Sequence, residues 1–239
     1  MMKVFSKSAV LAGFVAVFLA LPAYGSLNKS ISIAAGETSD GESSVNGSIT
    51  IGAGATVTGD VTTVNGTIRI EEGATVDAAE TVNGGLRVAD HVKSQSLSTV
   101  NGSIRVASQV TVDGEISTVN GRIEVGGGSK VAKNLGNVNG EIELSGSEVG
   151  GDLSTVNGDI ELADGAVVKG DLVVEKPGGF GHNNNHRMPR IVIGPGSRVE
   201  GTIRLEREVE LYISESAEVG SVEGKLSMDD AVRFSGKKP

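Results

Sequence analysis

Two histidines, His182 and His186, are spaced as metal ligands can be. Side chains four residues apart share one face of a helix and can chelate a metal ion there. Three asparagines and nearby glycines disfavour a helix in this segment, which also supplies no third ligand. We therefore predict no metal site, and we regard the neighbouring Phe180 as a better candidate for contact with a partner.

A group of carboxylates could in principle carry acid and base catalysis. Its members alternate along two successive repeats of the sequence: Glu141, Glu143, Asp159 and Glu161. Enzymes that cleave polysaccharides hold such carboxylates in a groove, commonly lined by aromatic residues, but residues 26–176 contain no Phe, Tyr or Trp. The chain also lacks a Gly-x-Ser-x-Gly elbow, a His-Glu-x-x-His motif and a phosphate-binding loop. We predict that the protein is not an enzyme and binds no cofactor.

One repeated position changes the sign of its charge along the chain. Arginine occupies it in three successive repeats and glutamate in the next three: Arg69, Arg87, Arg105, Glu124, Glu143 and Glu161. These residues are either solvated charges that keep a flat sheet from aggregating, or a dipolar face that pairs with an antiparallel second copy or another partner. The sequence leaves both interpretations open.

The strongest pattern is a repeat built around Val-Asn-Gly. Its seven asparagines are 18 or 19 residues apart: Asn46, Asn65, Asn83, Asn101, Asn120, Asn139 and Asn157. This period fits one coil of a parallel β-helix, in which each coil stacks on the previous one. We expect Asn-Gly to turn the chain through the left-handed region. We also expect the asparagine amides to form a structural hydrogen-bonded ladder rather than a ligand site.

Each coil contributes short alternating strands. An Ile-x-Ile element predicts ten coils, with first residues Ile31, Ile49, Ile68, Leu86, Ile104, Ile123, Ile142, Ile160, Ile191 and Leu211. In the coil from Gly59 to Asp77, we expect Val61 and Val64 to point inward and Thr63 to belong to an exposed threonine column. The predicted fold is all-β: a single-domain parallel β-helix of about ten 18–19-residue coils.

Three segments depart from the repeat. Residues 1–25 combine Lys3 and Lys7 with a short apolar run, which predicts a cleaved signal peptide. Residues 26–225 form the predicted β-helix, from which residues 176–190 project as an inserted loop. Residues 226–239 are predicted to cap the last coil or to form a disordered tail.

Composition limits the environment and the partners. Beyond the predicted signal peptide, 19 basic residues face 30 acidic ones, which disfavours nucleic acid and anionic membrane surfaces as partners. The chain has no cysteine, so no disulfide can stabilise it. We expect an exported protein, periplasmic or extracellular, without stable membrane insertion after the signal peptide is removed.

The pattern of residues within each coil resembles that of bactofilin-like polymer-forming proteins and of adhesin-like β-helical repeats in bacterial envelopes. The matching motifs are Gly59-Asp60-Val61, Gly151-Asp152-Leu153 and Gly170-Asp171-Leu172, each just after a coil that ends in Val or Lys. The resemblance implies a right-handed, triangular β-helix able to associate end to end. The predicted export signal departs from typical bactofilins, which are cytoplasmic, so only their architecture and self-association are expected here.

Two non-catalytic functions follow from these observations. The first is a structural or scaffold protein of the cell envelope that associates with itself, end to end or face to face. The second is a surface binding module or adhesin that contacts a glycan or protein through the 176–190 loop and the arginine stripe.

Overall fold

The computed structural model describes residues 27–177 and 187–239, which contain 27 β-strands and one short 3-10 helix. The strands from the first half of the chain are β1 Ile31–Ile33, β2 Thr38–Ser39, β3 Glu42–Ser44, β4 Ile49–Ile51, β5 Thr56–Val57, β6 Val61–Thr63, β7 Ile68–Ile70, β8 Thr75–Asn83, β9 Leu86–Val88, β10 Lys93–Asn101, β11 Ile104–Val106, β12 Thr111–Val112, β13 Ile116–Asn120 and β14 Ile123–Val125. The remainder are β15 Lys130–Val131, β16 Leu135–Asn139, β17 Glu141–Ser145, β18 Glu148–Val149, β19 Leu153–Thr155, β20 Asp159–Ala163, β21 Val167–Val168, β22 Leu172–Val174, β23 Arg190–Ile193, β24 Arg198–Leu205, β25 Glu210–Ser214, β26 Glu218–Gly224 and β27 Val232–Phe234, with the helix at Met228–Asp230 between the last two.

All pairings are parallel, and the strands between the two ends of the rod pair with strands of the coils before and after them. Each regular coil contributes to three ladders, which form three faces of a rod. Face A holds the Ile-x-Ile strands, in the order β1-β4-β7-β9-β11-β14-β17-β20-β23-β25-β27. Face B contains the two-residue strands, such as β2 and β5. Face C contains the strands that follow them in each coil, such as β3 and β6. The longer strands β8, β10, β24 and β26 run around the corner and belong to both. The predicted β-solenoid of about ten stacked coils is confirmed.

Alternation places one side of every strand in a continuous aliphatic core. Ile68 and Ile70 of face A are fully buried, whereas Arg69 between them is exposed. This is the period of two expected for a half-buried strand. Equivalent residues stack in register, as Ile104 does on Leu86. Burial of the inward side chains in successive layers stabilises a chain that has no disulfide.

The C-terminal end carries an additional rung on face A. Strand β27 pairs with β25 and buries Phe234 against the last coil. It has no Ile-x-Ile element, so the sequence pattern predicts ten rungs on this face where the structure has eleven. The predicted signal peptide lies outside the described residues.

Candidate functional site

The corner between faces C and A carries the Val-Asn-Gly repeat, whose asparagine side chains hydrogen-bond to one another along the rod. Each Nδ2 donates to the Oδ1 of the asparagine one coil earlier, at 2.6 to 3.0 Å. Asn28 adds an eighth member at the N-terminal end, since its Oδ1 accepts from Asn46. All amides therefore point in the same direction.

Arg207 terminates this asparagine ladder. The last amide oxygen, Oδ1 of Asn157, accepts a hydrogen bond from Nη1 of Arg207 at 2.6 Å, and the same nitrogen donates to the Val156 carbonyl at 3.1 Å. The inserted segment replaces Val-Asn-Gly in the next coil, so Arg207 reaches back from the coil above. Sequence reasoning missed this contact because 50 residues separate the partners.

The glycines of Val-Asn-Gly are required by close stacking, and the left-handed turn predicted for them is wrong for all but one. Among the seven, only Gly140 has a positive φ, of 120°. A Cβ on Gly102 would overlap the carbonyl oxygen of Gly84 in the coil below, and a Cβ on Gly84 would overlap that of Gly66. Backbones at this corner approach too closely for any side chain.

The threonine column lies inside the rod, so the predicted exposed column is wrong. Thr63 is 2 % exposed and Thr118 is fully buried. Their hydroxyls donate to glycine carbonyls of the coil below, Thr63 to Gly47 at 2.8 Å and Thr118 to Gly102 at 3.1 Å. Asn137 replaces threonine once and keeps the bond, to the Gly121 carbonyl at 3.3 Å. Buried oxygens at the glycine corner thus gain hydrogen-bond donors.

The valine of Val-Asn-Gly lies on the outer side of the same strand. Val61 is fully buried, but Val64 is only partly buried and points outward. The prediction that Val64 shares the core with Val61 is wrong, because two residues three apart on one strand face opposite sides. A column of partly buried valines therefore borders the asparagine ladder on face C.

The charged residues stack on the outside of face A in the predicted columns. Register places Arg69 beside Arg87, Arg87 beside Arg105 and Arg105 beside Glu124. The last arginine and the first glutamate of this column pair directly, since Nε of Arg105 donates to Oε2 of Glu124 at 2.8 Å. Glu124, Glu143 and Glu161 then follow one another.

Arg122 neutralises much of the acidic half. It lies one column closer to the corner and forms ion pairs with Glu124 at 3.2 Å, with Glu143 at 3.7 Å and with Glu141. Partial burial opposes its charge, but the carboxylates of Glu141, Glu124 and Glu143 together hold the pKa of Arg122 above its ordinary value.

The remaining acids of this half also have cationic partners. Arg187 pairs with Asp159 at 2.6 Å, and the backbone N–H of Arg190 donates to the same carboxylate at 2.9 Å. The C-terminal tail folds back, so that Lys238 pairs with Glu161 at 3.0 Å and its pKa is raised by that hydrogen bond. The carboxylate group suspected of catalysis is thus an ion-paired surface ladder.

The basic half differs, because Arg69 and Arg87 are exposed and form no ion pair within residues 27–177 and 187–239. Only Arg105, at the boundary, has an acidic partner. The acids that follow most closely along the chain are Glu71, two residues after Arg69, and Asp90, three residues after Arg87. The face therefore presents two free guanidinium groups below a neutralised acidic section.

A titratable carboxyl lies on the outer side of face C. Glu80 is aligned between Thr62 and Ser98. Burial, and secondarily the charge of Asp60, raise the pKa of Glu80 from 4.5 to about 7.

The suggested contact residues Phe180, His182 and His186 lie outside the described residues. They belong to residues 178–186, which lie between the described Pro177 and Arg187. Within the two described ranges, no three His, Cys, Asp or Glu side chains are grouped as metal ligands, and no helix is long and apolar enough to cross a membrane.

No protein-family model, curated protein or solved structure gives a significant match to this chain. Its class therefore rests on the fold, which is that of a β-helical repeat protein.

Proposed function

We propose that this chain is an exported, non-catalytic structural protein of the cell envelope that assembles end to end, in the manner of bactofilin-like polymer-forming proteins. The observation that supports assembly is the N-terminal end of the rod. Strands β1, β2 and β3 have no partner on that side among the described residues. An unpaired strand edge is a template for another chain.

The edge is well suited to extend the parallel ladders. On face A, the Ile31 N–H donates to Ser48 at 2.9 Å and the Ile33 carbonyl accepts from Gly52 at 3.0 Å. In a parallel ladder the residue between them points its own N–H and C=O to the other side. Ser32 therefore offers a donor and an acceptor at the open edge, and Thr38 of β2 does the same, since Glu37 and Ser39 bond to the next coil.

A non-catalytic role is supported by how the polar columns are used. The asparagine amides bond to each other, the threonine hydroxyls bond to backbone, and the five acids of face A are ion-paired. These groups therefore already have partners within the stack, which is what a structural use of them requires. Export is supported by the sequence of residues 1–25 and by the acidic composition.

Edge substitutions test this proposal. Proline at Ser32 and Thr38 removes both edge donors without breaking a hydrogen bond inside the rod. We expect the wild-type protein to form concentration-dependent polymers by light scattering and filaments in negative stain. The double variant Ser32→Pro/Thr38→Pro should remain monomeric, while the matched control Ser32→Ala/Thr38→Ala should assemble normally. A wild-type protein that stays monomeric at all concentrations would exclude the scaffold function and favour the binding-module alternative.

A further inference from the structure

We propose that Arg69 and Arg87, together with the adjacent side of the asparagine ladder, form a binding surface for an acidic polysaccharide that lies along the rod axis. This surface is on the side of the rod, so the inference goes beyond end-to-end assembly and does not depend on it. Face A has one sequence-predicted charge pattern, but the structure shows that its two halves are not equivalent.

A second copy of the chain does not fit the basic half. Antiparallel pairing of two face A surfaces would bring Arg69 and Arg87 against the acidic half of the partner rod. Those acids already bind cations of their own chain: Arg122 serves Glu124, Glu141 and Glu143, while Arg187 and Lys238 serve Asp159 and Glu161. Pairing between copies would have to break these contacts. The anion that fits the free arginines is therefore external.

The stacked arginines are unfavourable without such an anion. Arg69 and Arg87 are direct register partners, and Arg87 is in turn the partner of Arg105. Side chains on neighbouring strands lie about 5 Å apart, and like charges directly opposite each other repel. Glu124 relieves Arg105 only. A linear polyanion with a negative group at intervals of a few ångströms would relieve all three.

A row of small residues beside the arginines, which we call the trough, leaves room for an extended chain. Between the asparagine and arginine columns lie the small residues Thr67, Gly85 and Ser103, one in each successive coil. Gly85 has no side chain, and a Cβ there would come within 2.8 Å of the Ser103 carbonyl oxygen. The floor of the trough is therefore low, with hydroxyl groups on both sides of its centre.

The asparagine side of the trough still has hydrogen-bonding capacity. Asn83 donates one N–H to Asn65 at 2.9 Å and accepts one bond from Asn101 at 3.0 Å. A primary amide has two N–H donors and its oxygen has two lone pairs. Each exposed asparagine thus keeps one donor and one acceptor for a ligand.

This combination favours an acidic polysaccharide over a protein partner. Guanidinium groups bind carboxylates or sulfates through charge-assisted hydrogen bonds, and the free amide and hydroxyl groups match sugar hydroxyls. Protein interfaces are usually anchored by buried aromatic side chains. The trough offers no aromatic residue, because residues 27–177 contain no Phe, Tyr or Trp.

Binding of a defined polyanion tests the inference. The protein is purified in the form that accumulates in cells and is titrated with fluorescently labelled polygalacturonate. Labelled dextran, which is neutral, serves as the comparison. We expect binding to polygalacturonate that weakens with added salt, and none to dextran. The double variant Arg69→Gln/Arg87→Gln should bind at least about tenfold more weakly. The control Lys93→Gln/Lys130→Gln removes two exposed cations from face B and should stay within about twofold of wild type.

Several outcomes would overturn the inference. These are absence of binding by the wild-type protein, equal binding of dextran, or the same loss in both double variants. Tighter binding of polyglutamate than of polygalacturonate would identify an acidic peptide as the partner instead. Circular dichroism checks that all variants are folded. Light scattering separates this test from the scaffold proposal, because Arg69→Gln/Arg87→Gln should assemble as wild type does.

Discussion

Two polar columns meet at one corner of the rod, one inside and one outside. Thr99 and Asn101 are two residues apart, and each belongs to a column that repeats through successive coils. Thr99 is 1 % exposed and donates to the Gly84 carbonyl at 2.8 Å. Asn101 is exposed and donates to Asn83 at 3.0 Å. The two columns have similar regularity but different solvent exposure.

The difference shows what each column contributes. Water cannot replace the threonine hydroxyl inside the rod, so its loss leaves a buried carbonyl without that partner. Water can replace the asparagine amide outside. The inner column should therefore contribute more to stability, whereas the outer column keeps hydrogen-bond donors and acceptors that a ligand can use.

The largest effect is expected where the inner column meets the glycine backbone. Gly102→Ala places a Cβ against the Gly84 carbonyl oxygen and should lower the free energy of unfolding by about 3 kcal/mol. Gly127→Ala is the control, because its Cβ would meet only the Ser145 oxygen at 3.9 Å. Urea unfolding measures both. Equal stability of the two variants would show that the stack can separate at this corner.

A smaller loss is expected from the inner column itself. Thr118→Val keeps the shape of the side chain but removes the donor to Gly102, and should cost about 1 to 2 kcal/mol. Ser117→Ala, on the outer side of the same strand, should change stability by less than about 0.5 kcal/mol. The two urea midpoints decide the comparison.

Replacement of an asparagine in the outer column should lower the stability by a smaller amount still. Asn101→Ala removes one bond to Asn83 and one from Asn120, both exposed, and should cost about 0.5 to 1 kcal/mol. If this variant unfolds at lower urea than Thr118→Val, the exposed ladder is the stronger element, and the ranking proposed for the two columns is wrong.

The smallest expected effect is a pH dependence of the stability, caused by the titration of Glu80 on face C. The pKa of Glu80 is about 7 in the folded protein and its ordinary value is 4.5, so between these pH values the folded state binds a proton that the unfolded state does not. Stability should therefore be fully present below about pH 4.5 and decrease as pH rises to about 7. Solvent reaches part of the side chain, which limits the size of the change.

Substitution isolates this contribution. Glu80→Gln should flatten the fall in urea midpoint between pH 4.5 and 7, whereas Glu115→Gln, at an exposed carboxyl, should leave it as in wild type. An unchanged slope in Glu80→Gln would assign the pH dependence to other groups.

The stacked fold was predictable because the repeat has one dominant periodicity. Ile68 and Ile70 alternate with a charged residue, and the same alternation returns every 18 or 19 residues. That pattern fixes both the strand and its inner side. The eleventh rung was not predictable, since Val232 is exposed and only Phe234 packs inward.

The orientation of the Val-Thr-Thr-Val strand was the main error. Its two valines are three residues apart, so period two allows only one of them inside. Hydrophobicity alone does not choose between Val61 with Thr63 and Thr62 with Val64. The choice depends on the glycine carbonyls at the corner, which need a hydroxyl donor and are visible only after the coils are stacked.

The ion pairs that distinguish the two halves of face A were also beyond the sequence. Arg122 pairs with Glu124 of its own coil, but its pairs with Glu141 and Glu143 depend on the reach of its side chain to the next coil. Lys238 is 77 positions from Glu161 and reaches it because the tail folds back along the rod. Contacts of this kind have no periodic signature.

The uniform direction of the asparagine amides has a consequence for how such a rod can change in length. Every coil of this region presents the same amide donor below and the same amide acceptor above. A duplicated coil inserted between Asn83 and Asn101 would find both partners already in place, and a deleted coil would leave none unmatched. Duplication or deletion of one repeat would thus lengthen or shorten the molecule by a whole layer, while Asn28 and Arg207 continue to end the asparagine ladder.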